Sequence, residues 1–176
     1  LPKQGSYKYG ENVSVAESAT APGYIFSGWT TNDASVGDGK FEMPAKNVVL
    51  KGKFTETNTT YKVEQYLENL AGTGYDLQSP VETKTAKTGT VVYDKDNIKS
   101  YPGFEYKAGA VDKKEEETVL GNGTTVLKLY YVRKSYTVTY EYENKPEGAS
   151  ELPKQGSYKY GENVSVAESA TAPGYI

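Results

Sequence analysis

The chain of 176 residues contains no cysteine and no histidine. The first absence removes disulfides, thiol nucleophiles and thiolate zinc sites. The second removes the usual general base at neutral pH and the commonest metal-binding side chain. Most enzyme classes go with them, so the expectation is a protein without catalysis, cofactor or metal. Charge of one sign is scarce too. With 20 Lys+Arg against 23 Asp+Glu the formal net charge is -3, so no basic field gathers phosphates, and nucleic acid is not an expected partner. Apolar runs are only a few residues long, far short of the roughly 20 residues that cross a bilayer. The first residues carry no basic and apolar leader, and the expectation is a soluble piece with no transmembrane segment. The lack of cysteine suits a secreted Gram-positive protein as well as a cytosolic one, so by itself it leaves the compartment open.

What the chain has is tyrosine. Of its aromatic residues 17 are Tyr, with 4 Phe and 1 Trp, accompanied by 18 Gly and 8 Pro. With the many Thr and Val, this mix fits pleated, half-buried surfaces joined by tight turns, and predicts a mainly β protein with a minor α+β element. A mean hydropathy of -0.67 could suggest disorder, but disordered segments are poor in aromatic and β-branched residues.

The main signal is an exact repeat. Residues 1–25 recur without a change at 152–176, a period of 151 residues. The chain therefore reads as one full period of a tandem array and the first part of the next copy. A fainter repetition lies inside the period. Tyr136-Thr-Val-Thr-Tyr-Glu resembles Tyr61-Lys-Val-Glu-Gln-Tyr, and Val49-Leu-Lys-Gly-Lys-Phe54 resembles Val126-Leu-Lys-Leu-Tyr-Tyr131. Between these ends Gly10 and Pro22-Gly23-Tyr24 align with Gly89 and Pro102-Gly103-Phe104. The period thus holds modules of about 75 residues each. Residues 1–57 form module A lacking its first strand, 58–134 a complete module B, and 135–176 the start of the next module A.

Period-two alternation predicts strands in B at 60–67, 81–85, 89–93, 104–107 and 125–132. In A it predicts 136–143, 158–167 (equivalently 7–16), 24–29 and 47–54. Residues 94–100 read as a short helix capped by Asp94 and stopped by Pro102. The connections at 55–60 and 133–135 have no Gly/Ser or Pro-rich linker, so neighbouring modules should be held at nearly fixed angles.

At Pro22-Gly-Tyr-Ile-Phe-Ser-Gly-Trp29, Phe41-Glu-Met-Pro44 and Asn47-Val-Val-Leu-Lys-Gly-Lys-Phe54, module A resembles the Listeria–Bacteroides type repeat, similar to the internalin B-repeat. Module B, through Tyr61-Lys-Val-Glu-Gln-Tyr66, Tyr101-Pro-Gly-Phe104 and Thr124-Thr-Val-Leu-Lys-Leu-Tyr-Tyr131, resembles the mucin-binding-protein type repeats of Gram-positive surface adhesins. These resemblances imply tandem small β-grasp-like modules, each a mixed sheet with a short helix or loop crossover, in an elongated arrangement. They imply no catalytic residues. The residues expected in the core are Tyr24, Phe26, Trp29, Phe41, Met43, Phe54, Tyr61, Val63, Phe104, Leu127, Leu129, Tyr136, Val138 and Tyr140, with tight turns at Gly23 and Gly28.

Other features read as structural. Leu1-Pro-Lys-Gln-Gly5 looks like a wall-sorting signal with Gln in place of Thr, but strand-like sequence follows it, and a strand-entry turn is the better reading. The loop 31–39 has oxygen ligands without the spacing of a calcium loop. Gly37-Asp-Gly39 and Gly121-Asn-Gly123 read as hairpin turns, Glu115-Glu-Glu117 as a solvated charge run, and the sequons at Asn12, Asn58, Asn122 and Asn163 as idle in a bacterium. An Asn or Asp to Lys isopeptide crosslink would need its groups to meet in an apolar core, and the outward-alternating Lys51 and Lys128 argue against one. Tyr7, Tyr9, Tyr61, Tyr66, Tyr130 and Tyr131 read as sheet-face cover, the alternative being a stacking platform for sugars.

The resulting expectation is a load-bearing stalk or spacer of a bacterial surface adhesin, extracellular and anchored to a Gram-positive cell wall. It would hold a binding domain away from the cell, with neighbouring repeats as its partners. Parallel first and last strands would load their hydrogen bonds in shear, and reach would scale with copy number. The alternative is that the repeats themselves bind host glycan or mucin. Because 1–57 lacks an opening strand, the strand at 135–143 of one molecule is expected to complete the 1–57 sheet of another.

Overall fold

A computed structural model describes residues 5–110 and 114–174. The chain is mainly β. Its strands are β1 (Asn12–Ser14), β2 (Tyr24–Phe26), β3 (Lys40–Glu42), β4 (Phe54–Glu56), β5 (Asn58–Glu68), β6 (Tyr75–Leu77) and β7 (Glu82–Lys87). They continue with β8 (Val91–Tyr93), β9 (Phe104–Tyr106), β10 (Glu116–Thr118), β11 (Val126–Arg133), β12 (Ser135–Val138) and β13 (Gly156–Lys159). A 3-10 turn lies at Asp94–Asp96.

The chain divides into two compact units. One holds residues 1–62, 83–92 and 117–126, the other 63–82, 93–116 and 127–176. The module boundaries at 57/58 and 134/135 thus fall inside units rather than between them.

The largest sheet has the order β6-β5-β11-β9, with β7 also on β5. Alternation explains its centre. In β5, Tyr61, Val63 and Gln65 turn inward, and in β11 Leu127, Leu129 and Tyr131 do so. Full burial of each such leucine is worth about 2 kcal/mol over leaving it in water. Partners climb together along the two strands, Lys62 N–H to the Thr125 carbonyl, Tyr66 stacked on Tyr130, and Arg133 N–H to Glu68. That is parallel pairing. Antiparallel strands flank it, β6 on β5 and β9 on β11.

Module A pairs β1 with β3 and β2 with β4, both antiparallel. Val13 and Phe41 face each other in the first ribbon and are buried. Asp38 and Gly39 both take positive φ between the paired Gly37 and Lys40, the two-residue turn read from sequence. In the second, Phe26 meets Phe54 and Trp29, each with centroids 5.0 Å apart.

Several expectations are corrected. The predicted strand 47–54 forms only as Phe54–Glu56, because Lys51 instead makes an isolated bridge to Thr30. Strand 24–29 ends at Phe26, before the left-handed backbone of Gly28. Strand 7–16 is reduced to Asn12–Ser14, and its duplicate is strand only at Gly156–Lys159. The opening strand stops at Val138 rather than 143. β3, β6 and β10 were not expected. The Asp94 cap does not form: the turn starts at Tyr93 without a side-chain cap and ends at Asn97. The Asp94 carboxylate instead accepts the Tyr106 hydroxyl at 2.7 Å.

Candidate functional site

No group of three or more potential metal ligands occurs among the described residues. Asp33, in the oxygen-rich loop 31–39, accepts the Val49 N–H at 3.1 Å and pairs with Lys46. Those bonds, led by the Val49 N–H, hold its carboxyl below the ordinary range. It closes the loop. Lys51 and Lys128 are exposed, and Lys128 lies over the Tyr66 ring. A cleft of about 530 Å³ is lined by Tyr93, Asp94, Lys95, Tyr106, Lys114, Glu115 and Glu116. Burial, followed by its bond to Asp94, pushes the Tyr106 phenol far above its ordinary value, so that group stays a donor.

Two close backbone approaches lie near the module boundaries expected from sequence, each at a glycine. Pro22-Gly23-Tyr24 and Pro102-Gly103-Phe104 are corresponding turns, with φ of +77° at Gly23 and +76° at Gly103. Both glycines are approached closely by residues from later in the chain. A Cβ on Gly23 would lie 2.2 Å from Thr88 Oγ1 and 2.4 Å from the Gly121 Cα. The Thr57 N–H donates to the Gly23 carbonyl at 2.8 Å, and the Thr88 N–H to the Thr57 carbonyl at 3.0 Å. Between the stretch read as A and the one read as B, the Thr88 Oγ1 hydroxyl also donates to the Thr57 carbonyl, at 3.3 Å.

The B-to-A boundary uses the same glycine position differently. A Cβ on Gly103 would lie 2.2 Å from Cγ of Tyr160, whose ring also packs edge-on against Phe104 with centroids 5.8 Å apart. Arg133 stacks over the other residue of the turn, its Cζ 4.9 Å from the Phe104 centroid. Its N–H donates to Glu68 Oε2 at 2.8 Å, its Nε to the Glu68 carbonyl at 2.9 Å, and its Nη1 to the Tyr160 carbonyl at 2.7 Å. Lys159 Nζ completes the cluster on Glu68 Oε1 at 2.8 Å. The Lys159 bond, then the Arg133 N–H, hold the Glu68 carboxyl below its ordinary value. β12 and β13 pair antiparallel beside it, Ser135 opposite Lys159 and Val138 opposite Gly156. So Ser135–Val138 is taken within its own chain by the second copy of the duplicated sequence.

Of the expected core residues, Phe41, Tyr61, Val63, Leu127 and Leu129 are buried, and Phe26, Trp29, Met43, Phe104, Val138 and Tyr140 are half-buried. Tyr24, Phe54 and Tyr136 are exposed instead. Each sits on a two-stranded ribbon, which has too few neighbours to cover both faces. The tyrosines divided as well. Tyr61 and Tyr131 are core residues rather than surface cover, Tyr66 and Tyr130 stack on each other at 5.0 Å, and Tyr7 and Tyr9 are exposed. Glu68, Arg133, Lys159 and Thr88 were not singled out from sequence. The recurrence of Pro-Gly-aromatic in both modules was the available signal for the position they surround.

No curated protein and no solved structure matches this chain. Residues 2–58, a span nearly that of the sequence-defined module A, match the divergent InlB B-repeat domain, and it is to that repeat domain that this part of the chain is similar.

Proposed function

We propose that this chain is a non-catalytic spacer from the repeat region of a bacterial surface protein. In this reading it is a cell-wall-anchored stalk of a Gram-positive adhesin that carries tensile load. The observation that carries it is that both module boundaries are built of specific contacts, Gly23 on Thr88 and Gly121 in one, Gly103, Phe104, Arg133 and Glu68 on Tyr160 and Lys159 in the other. A freely jointed chain needs none of these. The parallel pairing of β5 and β11 supports the same reading, since the first strand of B begins and its last strand ends at opposite ends of that pair. Pulling on the two ends then strains many backbone bonds at once. No helix of the described residues is long and apolar enough to cross a membrane. The exact repeat of 25 residues at a spacing of 151 and the match of residues 2–58 support a tandem-repeat setting. The likeness of module B to mucin-binding-type repeats belongs to this proposal too.

Single-molecule pulling on the chain linked in tandem tests it. Regular, well-separated ruptures are expected, each releasing roughly 250 Å of chain per module. Low, irregular forces would overturn the load-bearing role.

The glycan-binding reading is weakened by the tyrosines themselves. Two of the proposed stacking rings are buried and two cover each other's faces. A glycan array on the whole chain decides it.

A further inference from the structure

The two boundaries share one backbone path. A turn follows β7 at Lys87-Thr88-Gly89-Thr90, and another follows β13 at Lys159-Tyr160-Gly161-Glu162. In each the fourth N–H donates to the first carbonyl at 3.0 Å, and the glycine is left-handed, with φ of +83° at Gly89 and +87° at Gly161. The residue before that glycine donates its N–H to the single residue between two strands. Thr88 donates to the carbonyl of Thr57, between β4 and β5, and Tyr160 to that of Lys134, between β11 and β12. Those residues donate in turn to a Pro-Gly turn, Thr57 to the Gly23 carbonyl and Lys134 to the Gly103 carbonyl, both at 2.8 Å. The path repeats bond for bond while the side chains differ.

What differs is the group seated on the Pro-Gly turn. On Gly23 it is Thr88, which is buried, with Oγ1 2.9 Å from Thr59 Oγ1 and donating to the Thr57 carbonyl at 3.3 Å. The Gly121 Cα fills the rest of that seat. On Gly103 it is the ring of Tyr160, with the Phe104 ring at its edge and Arg133 Nη1 holding its carbonyl. The residue just before Thr57 is Glu56, where the residue just before Lys134 is Arg133. One offers only acceptors and the other only donors.

We propose that Thr88 and Tyr160 are the specificity-determining residues of a common module-to-module clamp. The shared backbone path holds the following module, and the side chain before the left-handed glycine decides which Pro-Gly turn it fits. The Pro22-Gly23-Tyr24 turn takes a module that presents Thr-Gly together with a second glycine at the position of Gly121. The Pro102-Gly103-Phe104 turn takes one that presents Tyr-Gly. Repetition of one kind is mismatched: a Tyr-Gly turn after A brings its carbonyl to Glu56 instead of an arginine, and a Thr-Gly turn after B leaves Gly103 and Phe104 uncovered. Discrimination of this sort needs both the fitting contact and the penalty against the wrong neighbour. The proposal rests on reading the chain as consecutive modules and names what makes A and B alternate.

Hydrogen exchange of the Thr57, Thr88, Lys134 and Tyr160 amides in the full chain tests it. All four are expected to be protected in the parent, and free exchange there overturns the clamp. Tyr160 is 42% exposed, so Tyr160→Thr removes no core side chain. It should speed exchange at Lys134 and residue 160 at least about tenfold and leave Thr57 and Thr88 at parent rates, while Tyr160→Phe keeps the seat and the parent rates. Thr88→Tyr should do the reverse, since its ring must displace the Gly121 backbone. Should that variant not fold, Thr88→Val keeps the volume and removes the hydroxyl, and the same selective acceleration at Thr57 is expected. Parent rates in Tyr160→Thr or Thr88→Val, equal acceleration at both boundaries, or Tyr160→Phe as fast as Tyr160→Thr each overturn the proposal. The pulling experiment loads the pair of β5 and β11 instead, so either reading can fail while the other stands.

Discussion

The hydroxyl of Tyr131 donates to Gln65 Oε1 at 2.7 Å and accepts the Lys99 N–H at 2.9 Å. Both Tyr131 and Gln65 are buried, and Gln65 Nε2 in turn donates to the Asn97 carbonyl. The bonds tie β5, β11 and the segment after the 3-10 turn together inside the apolar layer. Tyr131→Phe keeps the ring and its edge-on contacts with Tyr101 and Tyr106, but strands an acceptor and a donor. Stability should fall by about 1–3 kcal/mol, measured by urea unfolding. An unchanged midpoint would mean water replaces the hydroxyl.

Gly121 and Gly39 differ in what a methyl group would strike. At Gly121 it would lie 1.9 Å from the Pro22 carbonyl oxygen, whereas at Gly39 nothing lies within 4 Å and only the φ of +70° matters. Gly39→Ala should cost about 1 kcal/mol, from left-handed backbone alone. Gly121→Ala should cost clearly more, because backbone cannot move aside as a side-chain tip can. Paired thermal unfolding of the two variants checks the order.

Acid should loosen the B-to-A boundary. Since the Glu68 carboxyl titrates below its ordinary 4.5 in the folded chain, the unfolded chain takes up the proton first. Its contribution is complete above pH 4.5 and is lost as the pH falls through the lower folded value. Glu68→Gln should cost less than about 1 kcal/mol at neutral pH, and should flatten the acid limb of stability against pH. An equally steep limb in the variant would exclude Glu68 as its source.

At the alkaline end, burial and then the bond to Glu64 raise the Tyr66 phenol from 10.0 to about 12. Its contribution to stability is therefore complete below pH 10 and lost as the pH rises through about 12. Ultraviolet titration should show a late phenolate phase that Tyr66→Phe reduces by one group. Loss of amplitude from the early phase instead would contradict the half-buried donor.

The sequence exposed the central pair of module B well, because β5 and β11 are long and alternate cleanly between faces. It exposed module A poorly. Short strands such as Lys40–Glu42 carry too few residues for a period to stand out, and their pairing is decided by whatever lies opposite. The boundary site was half legible. Pro-Gly-aromatic marks Gly23 and Gly103, but the cluster of Glu68, Arg133 and Lys159 joins positions far apart in the chain, and no local pattern announces it. Asp94 is a similar case: its position suggested a cap, yet Tyr106, twelve residues on, offered its carboxylate a better donor.

By itself the sequence determined the period, the mainly β class, the turns and the inward faces of the long strands, all of which depend on neighbours along the chain. Tertiary structure decided which of two identical stretches becomes strand. Val13, with Phe41 opposite, is 5% exposed, while its duplicate Val164 is 39% exposed and lies in no strand. Conversely, Gly156–Lys159 is strand and its duplicate at 5–8 is not. A β-strand satisfies its N–H and carbonyl groups on another segment rather than on itself, so the same residues order only where a partner strand is present.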